Sequence, residues 1–360
     1  MKTMTTYHPG TVILPEHLSQ TADYIGSVQL ESGAIPWFKG HLLDPWDHVE
    51  AAMGLSIAGR HDNARKALEW MADHQLADGG FWPAYDGDTP LEITRKESHH
   101  PAYLATGLWH HYLITQNLEL LNRLWPNVEA AIDFSLRMQN PEGDVAWAID
   151  ANDNHCPDSL VTGCCSIYKS LECAICIADT LEIERPDWND ARLRLGNALT
   201  YHPERFDRTW ESKERFSMDW FYPLLCGVIH GKAALKRLEQ KWTTFIHPGR
   251  GCRCVSDEPW VTVAESCELV MALISAGQHT KATEIFNWLH TSRDAQGAYW
   301  TGYQTRLKIF WPSERTTWTA GAVLMAADAL NHITPAFDLF TKVTLPRKDT
   351  KWLKLTAAPN

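Results

Sequence analysis

The chain is poor in positive charge. Its 33 lysines and arginines are outnumbered by 44 aspartates and glutamates, a formal net charge of −11. Nucleic acids and anionic membrane surfaces recruit basic patches, so both are excluded as expected partners. Long hydrophobic runs are also absent to the eye. The opening MKTMTTYHPGTVILPEH lacks the apolar core of a secretion signal, and no stretch reads as the roughly 18 apolar residues of a membrane span. Low-complexity segments are missing too, which leaves a globular protein with 44% hydrophobic and 21% charged residues. Metal-site spacing is lacking: Cys173-x-x-Cys176 and Cys252-x-Cys254 have no second pair beside them, so the nine cysteines read as packing thiols in a cytoplasmic protein. No metal and no cofactor are expected.

What the chain does have is a repeat. WMADHQLADGGFW runs from Trp70 through Gln75 and Gly79 to Trp82. The spacing returns in YIGSVQLESGAIPW (Tyr24, Gln29, Gly33, Trp37) and FSLRMQNPEGDVAW (Phe134, Gln139, Gly143, Trp147). A fourth copy, WLHTSRDAQGAYW, has Trp288, Gly297 and Trp300, with Arg293 in place of the glutamine. The step from aromatic to Gln or Arg is always five, and the step on to Gly always four. Fixed spacing of this kind implies one supersecondary unit used several times.

Apolar periodicity supplies the unit. Amphipathic segments near 16–29, 61–75, 118–139, 187–201, 232–245 and 278–292 alternate with more apolar ones near 46–58, 99–115, 158–180, 217–230, 260–276 and 315–331. The second set, with stretches such as EAAMGLSIAG and TAGAVLMAADAL, suits helices buried on all sides. No convincing strand run separates them. Six hairpins close into an all-α (α/α)6 toroid, six inner helices within six outer ones. We expect one such domain over residues 1–345, and a basic tail over 346–360 docked by Trp352. The repeat then ends each outer helix: Gly permits the turn, and Trp packs the loop on the next unit, a stabilising clamp.

The loops leading into the inner helices converge on one mouth, the natural pocket of a ring. They carry acids beside aromatics: Asp44, Trp46, Asp47 and Glu50; Glu97, His99, His100 and Tyr103; Asp150, Asp153, His155 and Asp158; Asp219, Trp220 and Tyr222; Asp257, Trp260 and Glu265; Tyr303, Trp311, Glu314 and Trp318. Each Asp near a helix start has a simpler use as a cap. Collected at one mouth, such groups suit sugars, whose faces stack on aromatic rings and whose hydroxyls need acceptors. They also suit carbocations, held by aromatic faces.

The repeat resembles the QW motif of triterpene cyclases. From GAIPWFKGHLLDPWDHVEAAMGL to TTWTAGAVLMAADAL, the chain is similar to bacterial proteins commonly labelled "prenyltransferase" in the terpenoid cyclase and protein prenyltransferase superfamily. That resemblance implies an isoprenoid substrate. The marks of its chemistry are absent: DGDT and DAND do not match the DxDD acid, and LVTGCCS and TTWTAG lack the zinc ligands. DPWDHVEAAMGLSIAGRHDNARKALEWM and LITQNLELLNRLWPNVEAAIDFSLRMQNPEGDVAW also resemble six-hairpin, glucoamylase-like glycosidases. This second likeness implies a sugar-gripping Asp47, an acid near Asp150 (Ala148 stands where the family's Glu follows the tryptophan), and a base at Glu314.

We therefore expect a carbohydrate-active hydrolase of small glycosides, with Asp150 as acid and Glu314 as base. Asp219 and Glu265 are their substitutes. Asp44, Trp46, Asp47, Glu50, His99, Tyr103, Trp220, Trp260 and Trp318 would bind substrate. A prenyl-transferring or terpene-cyclising enzyme is the alternative, and a non-catalytic ligand-binding ring the third.

Overall fold

Twelve helices and nine short strands make up the computed structural model, which describes residues 13–345. The N-terminal stretch and the tail from Pro346, Trp352 included, lie outside the described residues.

The inner helices are α2 (Pro45–Ile57), α4 (His99–Thr115), α6 (Val161–Thr180), α8 (Ser217–Leu225), α10 (Val263–Ser275) and α12 (Thr317–Asn331). Each packs on the next, and α12 returns to α2, so the ring is closed. Closure is tight. A Cβ on Gly321 of α12 would lie 2.6 Å from the Glu50 carbonyl oxygen of α2, and one on Gly54 would lie 2.8 Å from the Gly321 Cα. Glycine alone allows that approach. The outer helices are α1 (Pro15–Val28), α3 (His61–His74), α5 (Leu118–Arg137), α7 (Pro186–Tyr201), α9 (Gly231–Phe245) and α11 (His279–Leu289). They bury one face each, whereas the inner helices are buried almost throughout. The expected all-α toroid is the observed architecture. The fourth inner helix ends early, at Leu225, with Pro223 in its last turn and Gly227 at φ +75° just beyond.

One expectation needs correction. Val161–Thr180 is long and apolar enough to span a membrane by length and composition alone. Nearly all of it is buried inside the ring, which is why a core helix carries that composition.

The repeat does what a clamp must. The Gln29 side-chain amide donates to the Gly33 carbonyl (3.0 Å) and to the Asn63 carbonyl of α3 (2.9 Å), while its oxygen accepts from Asn63 Nδ2 (2.7 Å). Gln75 makes the same bonds to Gly79 and to Asn127 of α5. Gln139 makes them to Gly143, Ala191 and Arg194 of α7. In the fourth copy Arg293 pairs with Gln20 of α1, and Thr21 Oγ1 donates to the Gly297 carbonyl, which closes the outer ring. The four glycines have φ between +89° and +103°, and a Cβ on Gly79 would sit 2.1 Å from the Ala130 carbonyl oxygen.

The strands were not expected. β1 (Ala84–Asp86) pairs with β2 (Thr89–Glu92), and β3 (Arg95–Glu97) with β4 (Ala148–Asp150). A five-stranded antiparallel sheet runs β5 (Ile246–His247), β6 (Gly251–Arg253), β7 (Trp260–Thr262), β8 (Gly302–Gln304), β9 (Ile309–Phe310). All lie in loops between outer and inner helices. Runs of two to four residues are too short to show a period of two.

Candidate active site

Two inner helices set the site. On α2 the spacing Asp47-x-x-Glu50, and on α10 the spacing Glu265-x-x-Glu268, put two carboxylates on one face of each helix. A cavity of about 290 Å³ takes its lining from Asp44, Trp46, Asp47 and Glu50 of the α2 end, Ala264, Glu265 and Glu268 of α10, and His100, Met218 and Trp318. Beneath it the barrel is nearly filled. A residual space of about 10 Å³ lies among Glu50, Tyr103, Tyr222, Glu268 and Phe340, so the floor is closed.

The carboxylates differ in how they are held. Asp44 caps α2: one oxygen accepts from the Trp46 and Asp47 amides (3.0 Å each), the other from Trp37 Nε1 (2.9 Å). Glu50 accepts from Trp46 Nε1 (3.0 Å) and Tyr103 Oη (3.2 Å). Glu268 accepts from Tyr222 Oη (2.6 Å). Burial raises the Glu50 pKa to about 7 and the Glu268 carboxyl well above its usual range, the latter helped by the neighbouring charge of Glu50. Asp47 is raised well above the carboxylate range, first by burial, then by the charges of Asp44 and Glu50, and it hydrogen-bonds the Asp44 side chain.

Three other atoms at the cavity have no hydrogen-bond partner on the protein. Glu265 Oε2, Trp318 Nε1 and His100 Nδ1 are buried and unbonded. Together they present one acceptor, one donor and an imidazole nitrogen. Burial lowers the His99 pKa to about 3 and that of His100 to about 4, so both rings are neutral near neutral pH.

Glu97, His99 and His100 could together offer three metal ligands, their candidate atoms within 4.8 Å of one another. Metal-binding histidines are oriented by a partner on the second ring nitrogen. Here both Nδ1 atoms lack one, and Arg95 already bonds Glu97, so the set fits a cation poorly.

The expected site residues divide. Asp44, Trp46, Asp47, Glu50, Glu265 and Trp318 line the cavity. Tyr103 reaches it through Glu50, and His99 packs edge-on against Trp46 at 4.8 Å. Asp150, Glu314, Asp219, Trp220 and Trp260 are not among its lining residues. Asp150 accepts from the Asn152 and Asn154 amides and from Asn154 Nδ2, within its own turn. Glu314 lends its main-chain carbonyl to Thr301. Asp219, its pKa raised by burial to about 6, lies 3.9 Å from Arg237. Trp220 is stacked on Phe245. Trp260 borders a separate depression. Glu268 was missed because it sits a full turn inside an apolar helix, away from the loops. Its spacing from Glu265 is the signal that would have found it.

No protein-family model matches the chain. It is 46% identical over 339 residues to an MMP endo-(1,4)-3-O-methyl-alpha-D-mannosidase from Mycolicibacterium hassiacum, an alignment that covers 94% of this chain and 92% of the relative. Among solved structures, a glycosidase superposes with a TM-score of 0.70 at 14% identity, over 89% of this chain and 97% of that one. A GH63 mannosylglycerate hydrolase from Thermus thermophilus, in complex with glucose, gives 0.64 at 13%, over 85% and 98%. A D-mannose isomerase gives 0.66 at 10%, over 89% and 98%. These distant likenesses show the fold alone. The resemblance to the terpenoid cyclase and prenyltransferase superfamily is thereby corrected: the close relative is named a mannosidase. Hydrogen-bonding repeats of this kind serve ring closure whatever the ring encloses. The likeness to six-hairpin glycosidases is the one that stands, and the chain, a glycoside hydrolase-like enzyme, belongs to the family of the MMP endo-(1,4)-3-O-methyl-alpha-D-mannosidase.

Proposed function

We propose that this protein hydrolyses internal α-(1,4) bonds in chains of 3-O-methylated mannose. The observation that carries the reading is the set of unpartnered polar atoms at the cavity: Glu265 Oε2, Trp318 Nε1 and His100 Nδ1. Buried polar atoms left unbonded cost free energy unless a ligand satisfies them. Acceptor, donor and imidazole beside the indoles of Trp46 and Trp318 suit a sugar ring, with its hydroxyls and its apolar face. An isoprenoid would leave all three unsatisfied.

Glycoside hydrolysis needs one carboxyl that is protonated and one that is not. Asp47 is our proton donor, because burial and two neighbouring charges keep its proton on. It gives that proton to the oxygen of the departing sugar. Glu265 is our base, because its Oε2 is committed to no protein group. It takes a proton from the attacking water as the new C–O bond forms. Glu50 and Glu268, held by Tyr103 and Tyr222, receive sugar hydroxyls below. The nine free cysteines suit action in the cytoplasm.

The test is a product-length assay on 3-O-methylated and unmethylated α-(1,4)-mannooligosaccharides. Internal cleavage of the methylated chain into mid-length products supports the reading. Release of single sugars from one end, or no cleavage of either chain, would overturn it.

A further inference from the structure

An endo-acting hydrolase must hold its chain on both sides of the broken bond, and a cavity of about 290 Å³ with a closed floor holds only part of one. A second depression, about 540 Å³, lies on the five-stranded sheet, lined by Trp260, Trp311, Leu307, Pro259, Glu258 and Gln304. Its apolar surface is unusually open for its position. Leu307 is 64% exposed and Trp311 50%, and Ile309 of the same hairpin is 47% exposed. Exposed apolar clusters of this kind mark contact sites.

The surface is also held stiff. Trp260 Nε1 donates to the Trp311 carbonyl at 2.7 Å, and the two indoles meet edge to face at 5.2 Å and 75°. A Cβ on Gly302 would lie 2.3 Å from Trp260 Nε1, so glycine at that position lets the indole lie flat on the sheet. Phe310 stacks on Trp300 at 5.4 Å and 9°, which anchors the hairpin from behind.

Both walls run straight into the active site. Strand β7 begins at Trp260 and passes into α10, whose first turn carries Glu265. The segment from Trp311 passes into α12, which carries Trp318. β7 has three residues, roughly 10 Å of extended chain at about 3.3 Å per residue.

We propose that this Trp260–Trp311 depression is a second sugar-binding site, which seats 3-O-methylated units of the chain that extend out of the cavity. The proposal rests on the mannosidase reading above. Three features select this occupant. The depression is tied to the cavity by the chain itself, since β7 leads into the helix of Glu265 and the segment after Trp311 leads into the helix of Trp318. Its indole faces suit pyranose rings, while Glu258 and Gln304 supply an acceptor and a donor for the remaining hydroxyls. Methylation at O3 removes one hydroxyl per unit and adds an apolar group, which matches a site rich in Leu307, Pro259 and indole rather than in carboxylates.

The experiment uses the full chain, with Trp311→Ala and Leu307→Asp compared against wild type. Both side chains are largely exposed, and melting curves check that each variant is folded. Cleavage rates are measured on long 3-O-methylated chains, on long unmethylated chains, and on short substrates that fill only the cavity. We expect Trp311→Ala to lower kcat/KM on the long methylated chain about tenfold, through KM, and to leave short substrates unchanged. The loss on unmethylated chains should be smaller. Equal rates for variant and wild type on the long methylated chain would overturn the second site. So would an equal loss on long and short substrates. Wild-type protein that cleaves no mannoside at all would instead overturn the mannosidase reading. Binding of the long methylated chain, measured by calorimetry on wild type and Trp311→Ala, separates the cases, because the difference between the two proteins reports the second site without any cleavage.

Discussion

The clamps of the outer ring and the cavity of the inner ring are both built from partly buried polar groups, and they treat those groups oppositely. Gln29, Gln75 and Gln139 each use the amide nitrogen twice and the oxygen once, all on protein. In the cavity, Glu265, Trp318 and His100 each leave a buried atom with nothing to bond. A group satisfied by its own fold contributes stability. A group left unsatisfied costs stability and waits for something that is not protein. The contrast separates residues that hold the ring from residues that use it.

Substitutions in the two regions should therefore split activity from stability. The largest effect belongs to the cavity. Glu265→Gln keeps the shape and removes the base, so we expect kcat to fall roughly 10²–10⁴-fold. The melting temperature should change little, as the Oε2 that is replaced makes no hydrogen bond to the protein. A similar fall is expected for Asp47→Asn. Paired kinetics and thermal melts check both.

The reverse pattern should follow in the clamps. Gly79→Ala would put a methyl group 2.1 Å from the Ala130 carbonyl oxygen at φ +89°, and a loss of about 3 kcal/mol or more is expected in denaturant unfolding. Gln75→Ala, which removes bonds to Gly79 and Asn127, should cost about 1–3 kcal/mol. Activity per folded molecule should change little in either case. A clamp substitution that destroyed kcat without lowering stability would break the contrast.

The smallest effect concerns pH. The Glu50 pKa stands at about 7 against an ordinary 4.5. Between those values the native state binds more protons at this site than the unfolded chain does, so stability is lost as pH rises through the window. Gln cannot ionise. Glu50→Gln should therefore melt like wild type near pH 4.5 and gain on it progressively up to about pH 7. A constant difference across that range would mean that Glu50 titrates as if exposed.

Much of this architecture was readable from the chain alone. All twelve helices lie within a few residues of the apolar segments that announce them, because long 3.6-residue periods average over many positions. The repeat was readable as a clamp because the four-residue step to Gly survives in four copies, from Gln in three and from Arg293 in the fourth. The strands were not, since β5 and β9 contain two residues each. The site was half legible. Asp44, Trp46 and Asp47 stand together at a helix start, where a cap and a mouth coincide. Asp150 drew attention as a loop acid, but in DANDN the neighbouring Asn residues turn such a carboxylate onto its own backbone, as observed. Glu268 lay hidden for the opposite reason: an acid inside CELVMALI reads as an interruption of a core helix until its partner across the ring is known.

The most direct test of the account is a structure of Glu265→Gln with a 3-O-methylated α-(1,4)-mannooligosaccharide bound. We expect a pyranose in the cavity between α2 and α10, with sugar oxygens within hydrogen-bond distance of Trp318 Nε1 and His100 Nδ1, and the glycosidic oxygen beside Asp47. A chain bound elsewhere, with those atoms still unpartnered, would contradict the account.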